Sequence, residues 1–162
     1  MSGQIRFFLD WREYFAAREF LRASRTPVIP EKIGGGLLIA IGALLYFFSG
    51  LNLAAFGALA LGLIVSFGIP AFRRQASKRK WEREPLYGME QALSFGEEGI
   101  FLQMGPIESN LNWQYYRGAL ESPDGFLLIS YNDAFNYIPK RAFDGEIVIN
   151  EFRALTQKKL KK

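Results

Sequence analysis

The chain has 162 residues, with 20 Lys and Arg against 16 Asp and Glu, a net charge of +4, and no Cys and no His. Those averages fit one ordinary folded domain and exclude collagen-like and low-complexity chains. Without Cys or His there is no disulfide framework, no thiolate nucleophile, no Cys-bound metal and no imidazole base.

Position along the chain carries more than the averages do. Residues 1–32 read as an N-terminal strand and an amphipathic helix. Ile5, Phe7 and Leu9 alternate with polar neighbours, and Asp10 with Glu13 resembles a capping box. Trp11, Tyr14, Phe15 and Leu21 then share one face. That face suits a helix lying on a membrane surface or one packed on the protein's own folded domain, and the pattern leaves both open.

From Ile33 to Phe72 no side chain is charged. As one helix these residues would span about 60 Å, twice the roughly 30 Å hydrocarbon core of a bilayer. The turn-like stretch Ser49-Gly50-Leu51-Asn52 divides residues 33–72 into a two-helix transmembrane hairpin, with spans at about 34–49 and 53–72. Ala54, Ala58, Gly62 and Ser66 recur every fourth residue and predict a small-residue packing face on the second span. Gly36, Ala40 and Ala43 predict its counterpart on the first. Such faces serve either packing within the hairpin or association of two copies. No ionisable group lies in either span, which argues against a pump or transporter acting alone.

Residues 73–85 form a basic juxtamembrane linker, in which Arg73, Arg74, Lys78, Arg79 and Lys80 cluster. Basic flanks and a neutral turn predict a multi-pass protein with both termini in the cytoplasm. The cluster suits anionic headgroups as well as topology.

Residues 86–162 change period. Short runs punctuated by Gly96-Glu97-Glu98-Gly99, Gly105-Pro106, Pro123-Asp124-Gly125 and Asn132-Asp133 predict six antiparallel strands between Gly88 and Ile138. A short helical turn at Trp113 and a last helix over about 144–159 complete the domain. The fold class is thus a transmembrane helical hairpin plus a small α+β domain, an antiparallel bent sheet with one C-terminal helix. Glu84–Leu155 holds 11 acids against Arg117, Lys140, Arg141 and Arg153, a balance of −7 that disfavours nucleic acid as a partner.

The order of an LDWREY segment, an apolar hairpin with a basic exit, strands, Trp113 and the run Tyr137–Phe143 (YIPKRAF) before a helix containing EFRAL resembles the YcxB-like family of bacterial membrane proteins. The resemblance implies a cytoplasmic domain related to pleckstrin-homology (PH) folds and a place in the inner membrane, and it implies no activity. By analogy with the basic loops of such domains, Lys140 and Arg141 are candidate contacts for an anion or a partner. Read as residues alone, they suit ion pairs with the domain's acids, and Trp113 suits a core anchor. No catalytic, cofactor or metal residues are assigned. Asp124, Asp133 and Asp144 fall in turn and cap positions. The expected function is a non-catalytic, membrane-tethered binding or scaffolding module, its partners the bilayer and a cytoplasmic protein or anionic headgroups. The alternative is an accessory subunit of a membrane enzyme or transport complex, assembling through its spans.

Overall fold

A computed structural model describes residues 2–25, 31–50 and 52–160. The chain forms two compact units. One joins residues 1–22 to residues 81–162, and the other is residues 23–80. The expected division at residues 32, 72 and 85 therefore differs from the observed one. The N-terminal segment folds with the C-terminal domain, because its strand and its helix both contribute to that domain's core.

In the first unit, β1 (Ser2–Phe8), β2 (Glu90–Phe95), β3 (Gly99–Met104) and β4 (Ile107–Asn112) make a four-stranded sheet in the order β1-β2-β3-β4. A second sheet has the order β5-β6-β7, from Tyr116–Glu121, Gly125–Ser130 and Phe135–Pro139. Every pairing is antiparallel. Alternation places Ile5 and Phe7 of β1, Leu93 and Phe95 of β2, and Ile100 and Leu102 of β3 inside. The short helical turn predicted at Trp113 is a 3-10 turn over Trp113–Tyr115. Two sheets replace the single bent sheet expected, with the seventh strand supplied from before the hairpin.

β6 is buried at all six positions, so both of its faces are covered. On one face Phe126 meets Phe152 of α5 (Glu146–Leu160) and Phe143, at ring separations of 5.0 and 5.8 Å. The register pairs Phe126 with Ile138 and Ile129 with Phe135, which puts Phe135 on the opposite face. There Tyr14 of α1 (Trp11–Arg25) stacks on Phe135 at 5.4 Å and packs against Trp81 at 5.5 Å. Tyr14, Ala17 and Leu21 are buried in the same core. Of the two settings left open for this helix, the core of the folded domain is the one observed.

The second unit holds α2 (Glu31–Ser49), α3 (Leu53–Leu63), a π-helical segment Ile64–Gly68 and α4 (Ile69–Arg83). The last three run as one helix of 31 residues. This helix and α2 are each long and apolar enough to cross a membrane. The break falls where the turn signal predicts it. Gly50 adopts a φ of 70°, which ends α2 in the left-handed form that glycine tolerates, and its N–H donates to Tyr46 O at 2.9 Å. Asn52 caps α3, its Oδ1 accepting from Ala55 N at 2.9 Å.

The basic segment 73–85 is mostly the continuation of this helix rather than a linker. Pro70 does not end the helix because the π-helical turn before it widens the coil. Proline offers no N–H, and its ring crowds the carbonyl four residues back. Ile69 N–H donates to Ile64 O, five residues back, and so preserves the helix into α4.

Candidate functional site

Lys140 and Arg141 sit on a 3-10 turn (Lys140–Ala142) that follows β7. Arg141 makes a two-pronged pair with Glu13, at 2.7 Å from Nε to Oε1 and 2.8 Å from Nη2 to Oε2. Nη2 also donates to Phe8 O at 2.8 Å. Glu13 in turn accepts from Asp10 N at 3.2 Å, half of the capping box read from the sequence. Arg141 thus fastens the junction between β1 and α1 to the end of β7. Its guanidinium holds the Glu13 carboxyl below the ordinary carboxylate range, and Arg141 is itself raised.

Lys140 turns to the other side of the domain. Its ammonium pairs with Glu121 at 2.7 Å, donates to Ser122 O at 3.0 Å and lies 5.6 Å from the centre of the Phe126 ring. Glu121 also takes a fork from Arg153, with Nε to Oε2 at 2.8 Å and Nη2 to Oε1 at 2.7 Å. Hydrogen bonding to Arg153, and then to Lys140, holds this carboxyl down at about 2. Both candidate cations therefore have partners within the protein.

Trp113 is buried, and its indole N–H donates to Gly96 O at 2.9 Å, pinning the turn between β2 and β3. Glu97 of that turn pairs with Lys159 at 2.8 Å and Lys158 at 3.0 Å. The two lysines hold its carboxyl at about 2. Asp133 pairs with Arg117 at 2.7 Å. Among the described residues no group of three or more His, Cys, Asp or Glu is gathered to hold a metal.

Two grooves of about 450 Å³ each flank the C-terminal half of α5. One lies between β5 and α5. The other lies at the corner where β4 gives way to β5, beside Trp113, Tyr131 and the Glu97 turn. Arg117 and Leu160 border both.

In the hairpin the predicted packing face is displaced. Gly62 and Ser66 are buried and Ala58 is half-buried, but Ala54 is exposed and its neighbour Ala55 is buried instead. On α2 the buried positions are Gly35 and Gly42, while Gly36, Ala40 and Ala43 are exposed. On the second span the four-residue spacing drifts off the seam, while on the first span Gly36 and Ala43 keep a seven-residue spacing but lie on the exposed side. A four-residue spacing drifts about 40° per step on a 3.6-residue helix, whereas a seven-residue spacing drifts only about 20°. Gly35 with Gly42, and Ala55 with Gly62, are seven apart and stay on the seam. A Cβ built on Gly62 would lie 2.8 Å from Gly35 O and 2.9 Å from Ile39 N, so the two backbones touch there.

At the charged end of the hairpin, Arg73 pairs with Glu31. These two residues flank the charge-free block from both sides, which sets the ends of its two apolar stretches level. Arg74, Lys78, Arg79 and Lys80 lie exposed on α4.

Sequence reasoning missed the acidic halves of these pairs and the role of α1 as the second cover of β6. A signal for α1 was present. The run Phe126-Leu127-Leu128-Ile129 does not alternate, and a strand apolar on both faces needs a cover on both.

This architecture is a seven-stranded, two-sheet antiparallel unit closed by a C-terminal helix, in a chain that also carries two apolar helices. Residues 95–156 match the family model of YcxB-like proteins, as the Trp113 and YIPKRAF segments indicate. That match runs from the end of β2 into α5. It includes Glu121, Lys140, Arg141 and Arg153 and leaves β1, α1 and the hairpin outside. No curated protein and no solved structure gives a match to the chain.

Proposed function

We propose that this is a multi-pass protein of the bacterial inner membrane whose hairpin tethers a PH-like unit in the cytoplasm, and that the unit acts as a non-catalytic binding or scaffolding module for a protein partner. One observation carries this reading. β1 precedes the apolar hairpin and pairs along its length with β2, which follows it. A sheet assembled from both flanks of a two-span insertion needs those flanks on one side of the bilayer. Basic Arg74, Lys78, Arg79 and Lys80 favour the cytoplasmic side. A four-stranded and a three-stranded antiparallel sheet closed by one C-terminal helix supports the PH-like assignment.

A protein partner is preferred to headgroups at the unit's own basic turn, because Lys140 and Arg141 already hold Glu121 and Glu13. Assembly through the spans has less support, since Gly35, Gly42 and Gly62 are consumed in packing within the hairpin.

The test is a pair of reporters on the full chain, one fused after Lys162 and one inserted at Gly50, combined with crosslinking in native membranes. The reading expects the first reporter inside, the second outside, and a protein crosslinked to the strand-rich unit. A reporter after Lys162 found outside the cytoplasm overturns the topology. Crosslinks confined to the apolar helices overturn the module.

A further inference from the structure

Among the described residues, the order β1-β2-β3-β4 leaves the outer edge of β4 without a neighbouring strand. The hydrogen bonds beside it fix which backbone groups point there. Gly99 O accepts from Gly96 N–H, and Gly105 N–H donates to Glu90 O, so residues 99, 101, 103 and 105 turn their backbone toward β2. Alternation then turns Ile100, Leu102 and Met104 toward β4, where the register sets them against Leu111, Ser109 and Ile107. The N–H and C=O groups of Glu108, Asn110 and Asn112 are left facing outward.

Sheet edges are commonly guarded by Lys, Pro or a bulge. β4 reads IESNLN, without Lys or Pro, and its pairing with β3 runs with no register shift. It is half-buried at Ser109 and Leu111 and exposed at its other positions. The edges of β5 and β1 differ. β5 is bulged between Tyr116 and Gly118, and on β1 Phe8 O is taken by Arg141.

The strand is also complementary to itself. Laid antiparallel on a second copy about a twofold axis through Ser109, Glu108 forms a hydrogen-bonded pair with Asn110 of the second copy. Ile107 then lies against Leu111, and Ser109 against Ser109. Apolar residues meet apolar, polar meet polar, and no like charges stand directly opposite. The two Glu108 side chains fall on a diagonal, and each is drawn back onto its own sheet, where Oε1 accepts from Gln103 Nε2 at 3.3 Å.

We infer that β4 is a self-association edge, through which two copies of this chain join their four-stranded sheets into one continuous sheet. The five residues Ile107 to Leu111 on each side are far fewer than the roughly 20–30 a side of a stable soluble interface. The pairing therefore depends on confinement of the copies in one bilayer, which raises their effective concentration, and it rests on the membrane anchoring proposed above.

The experiment reconstitutes the full chain in vesicles of neutral lipid over a wide range of protein density. Copies carry donor or acceptor dyes at Ala154→Cys, an exposed position on α5 in a chain with no Cys of its own. Energy transfer should rise with density, and amide exchange at Glu108 and Asn110 should slow with it, while β5 and β7 stay unchanged. Asn110→Glu sets like charges opposite Glu108 at both ends of the pairing and should weaken association about three- to tenfold. Asn110→Lys sets opposite charges there and should strengthen it by a similar factor. Asn110 is exposed, so both variants keep the fold, which circular dichroism checks. In a separate variant, Ser109→Cys should form a disulfide-linked dimer under mild oxidation, because opposed residues of a non-hydrogen-bonded pair lie about 4.5 Å apart at Cα. Gln4→Cys, on β1, should not.

The inference is overturned if energy transfer rises while exchange on β4 does not change, since the spans then hold the copies together. It is overturned equally if Asn110→Lys weakens association, if neither Asn110 variant moves it, or if Ser109→Cys stays monomeric. The reporters at Lys162 and Gly50 test the anchoring by themselves. If they read as expected while β4 stays unprotected, only the pairing falls. A Gly50 reporter found inside removes the anchoring, and the pairing with it.

Discussion

The unit of residues 23–80 buries glycine, alanine and serine and turns Leu37, Ile41, Phe48, Phe56 and Phe67 outward. The unit of residues 1–22 and 81–162 does the reverse, burying Phe126, Phe152, Leu93 and Ile100 and exposing its charges. One chain thus follows two rules, and the membrane setting proposed for residues 23–80 would account for the difference. In water, removing apolar area from solvent is worth about 25 cal/mol per Å², so large side chains go inside. Against hydrocarbon that gain vanishes, and close backbone contact through small residues is what remains to hold helices together.

The largest test of this contrast replaces the same residue type in each unit. Phe152 is fully buried among Phe95, Phe126 and Phe143. Phe152→Ala should cost about 3–5 kcal/mol in thermal unfolding followed by near-ultraviolet circular dichroism. Phe47 is 82% exposed, and Phe47→Ala should change stability by less than about 0.5 kcal/mol. Equal effects would erase the distinction between the units.

A smaller effect is expected inside the hairpin. Gly62→Leu forces a side chain into Ile39 and the Gly35 carbonyl and should cost about 1–3 kcal/mol. Ala54→Leu places its side chain on the exposed side and should be neutral. The chain has no Cys, so spin labels at Leu37→Cys and Phe67→Cys would report the separation of the two helices directly. Gly62→Leu should lengthen that distance, and Ala54→Leu should leave it unchanged. The opposite ranking would restore the four-residue face as the seam.

The smallest effect is electrostatic. The Glu121 carboxyl is held at about 2, below its ordinary 4.5, by Arg153 and Lys140. A folded value lower than the unfolded one means that the pairs contribute fully above about pH 4.5. Their contribution fades as pH falls toward about 2. In the parent protein, melting temperature should drop across that interval more steeply than in Glu121→Gln, when both are scanned by circular dichroism. Identical acid slopes would show that the network adds nothing to stability.

Much of this was legible from residue order. The turn at Ser49–Asn52 was readable because Gly and Asn have specific backbone uses at helix ends. Trp113 and the YIPKRAF run marked the segment that the YcxB-like family model matches. The strands after Gly88 were readable from their punctuation, with ends shifted by a residue or two. Three features were not legible. The seam of the hairpin was misplaced because Ala54 and Ala55 are equally small, and only the crossing of the helices decides which one touches. The partners of Lys140 and Arg141 were hidden because Arg141 and Glu13 lie 128 residues apart. Residues 73–85 were read as a linker from their run of basic charge, whereas a π-helical turn carries the helix through Pro70 and into that segment.

By itself the sequence determined the environments: a charge-free block too long for one span, a basic stretch after it, and a strand-rich domain beyond. Local composition is enough for that, since burial of charge and turn chemistry act residue by residue. The tertiary structure alone decided that the N-terminal segment belongs to that last domain. β1 completes its four-stranded sheet, α1 covers the second face of β6, and Arg141 locks both in place. Strand pairing and face covering across so many intervening residues depend on which apolar surfaces are left open, and no local pattern records that.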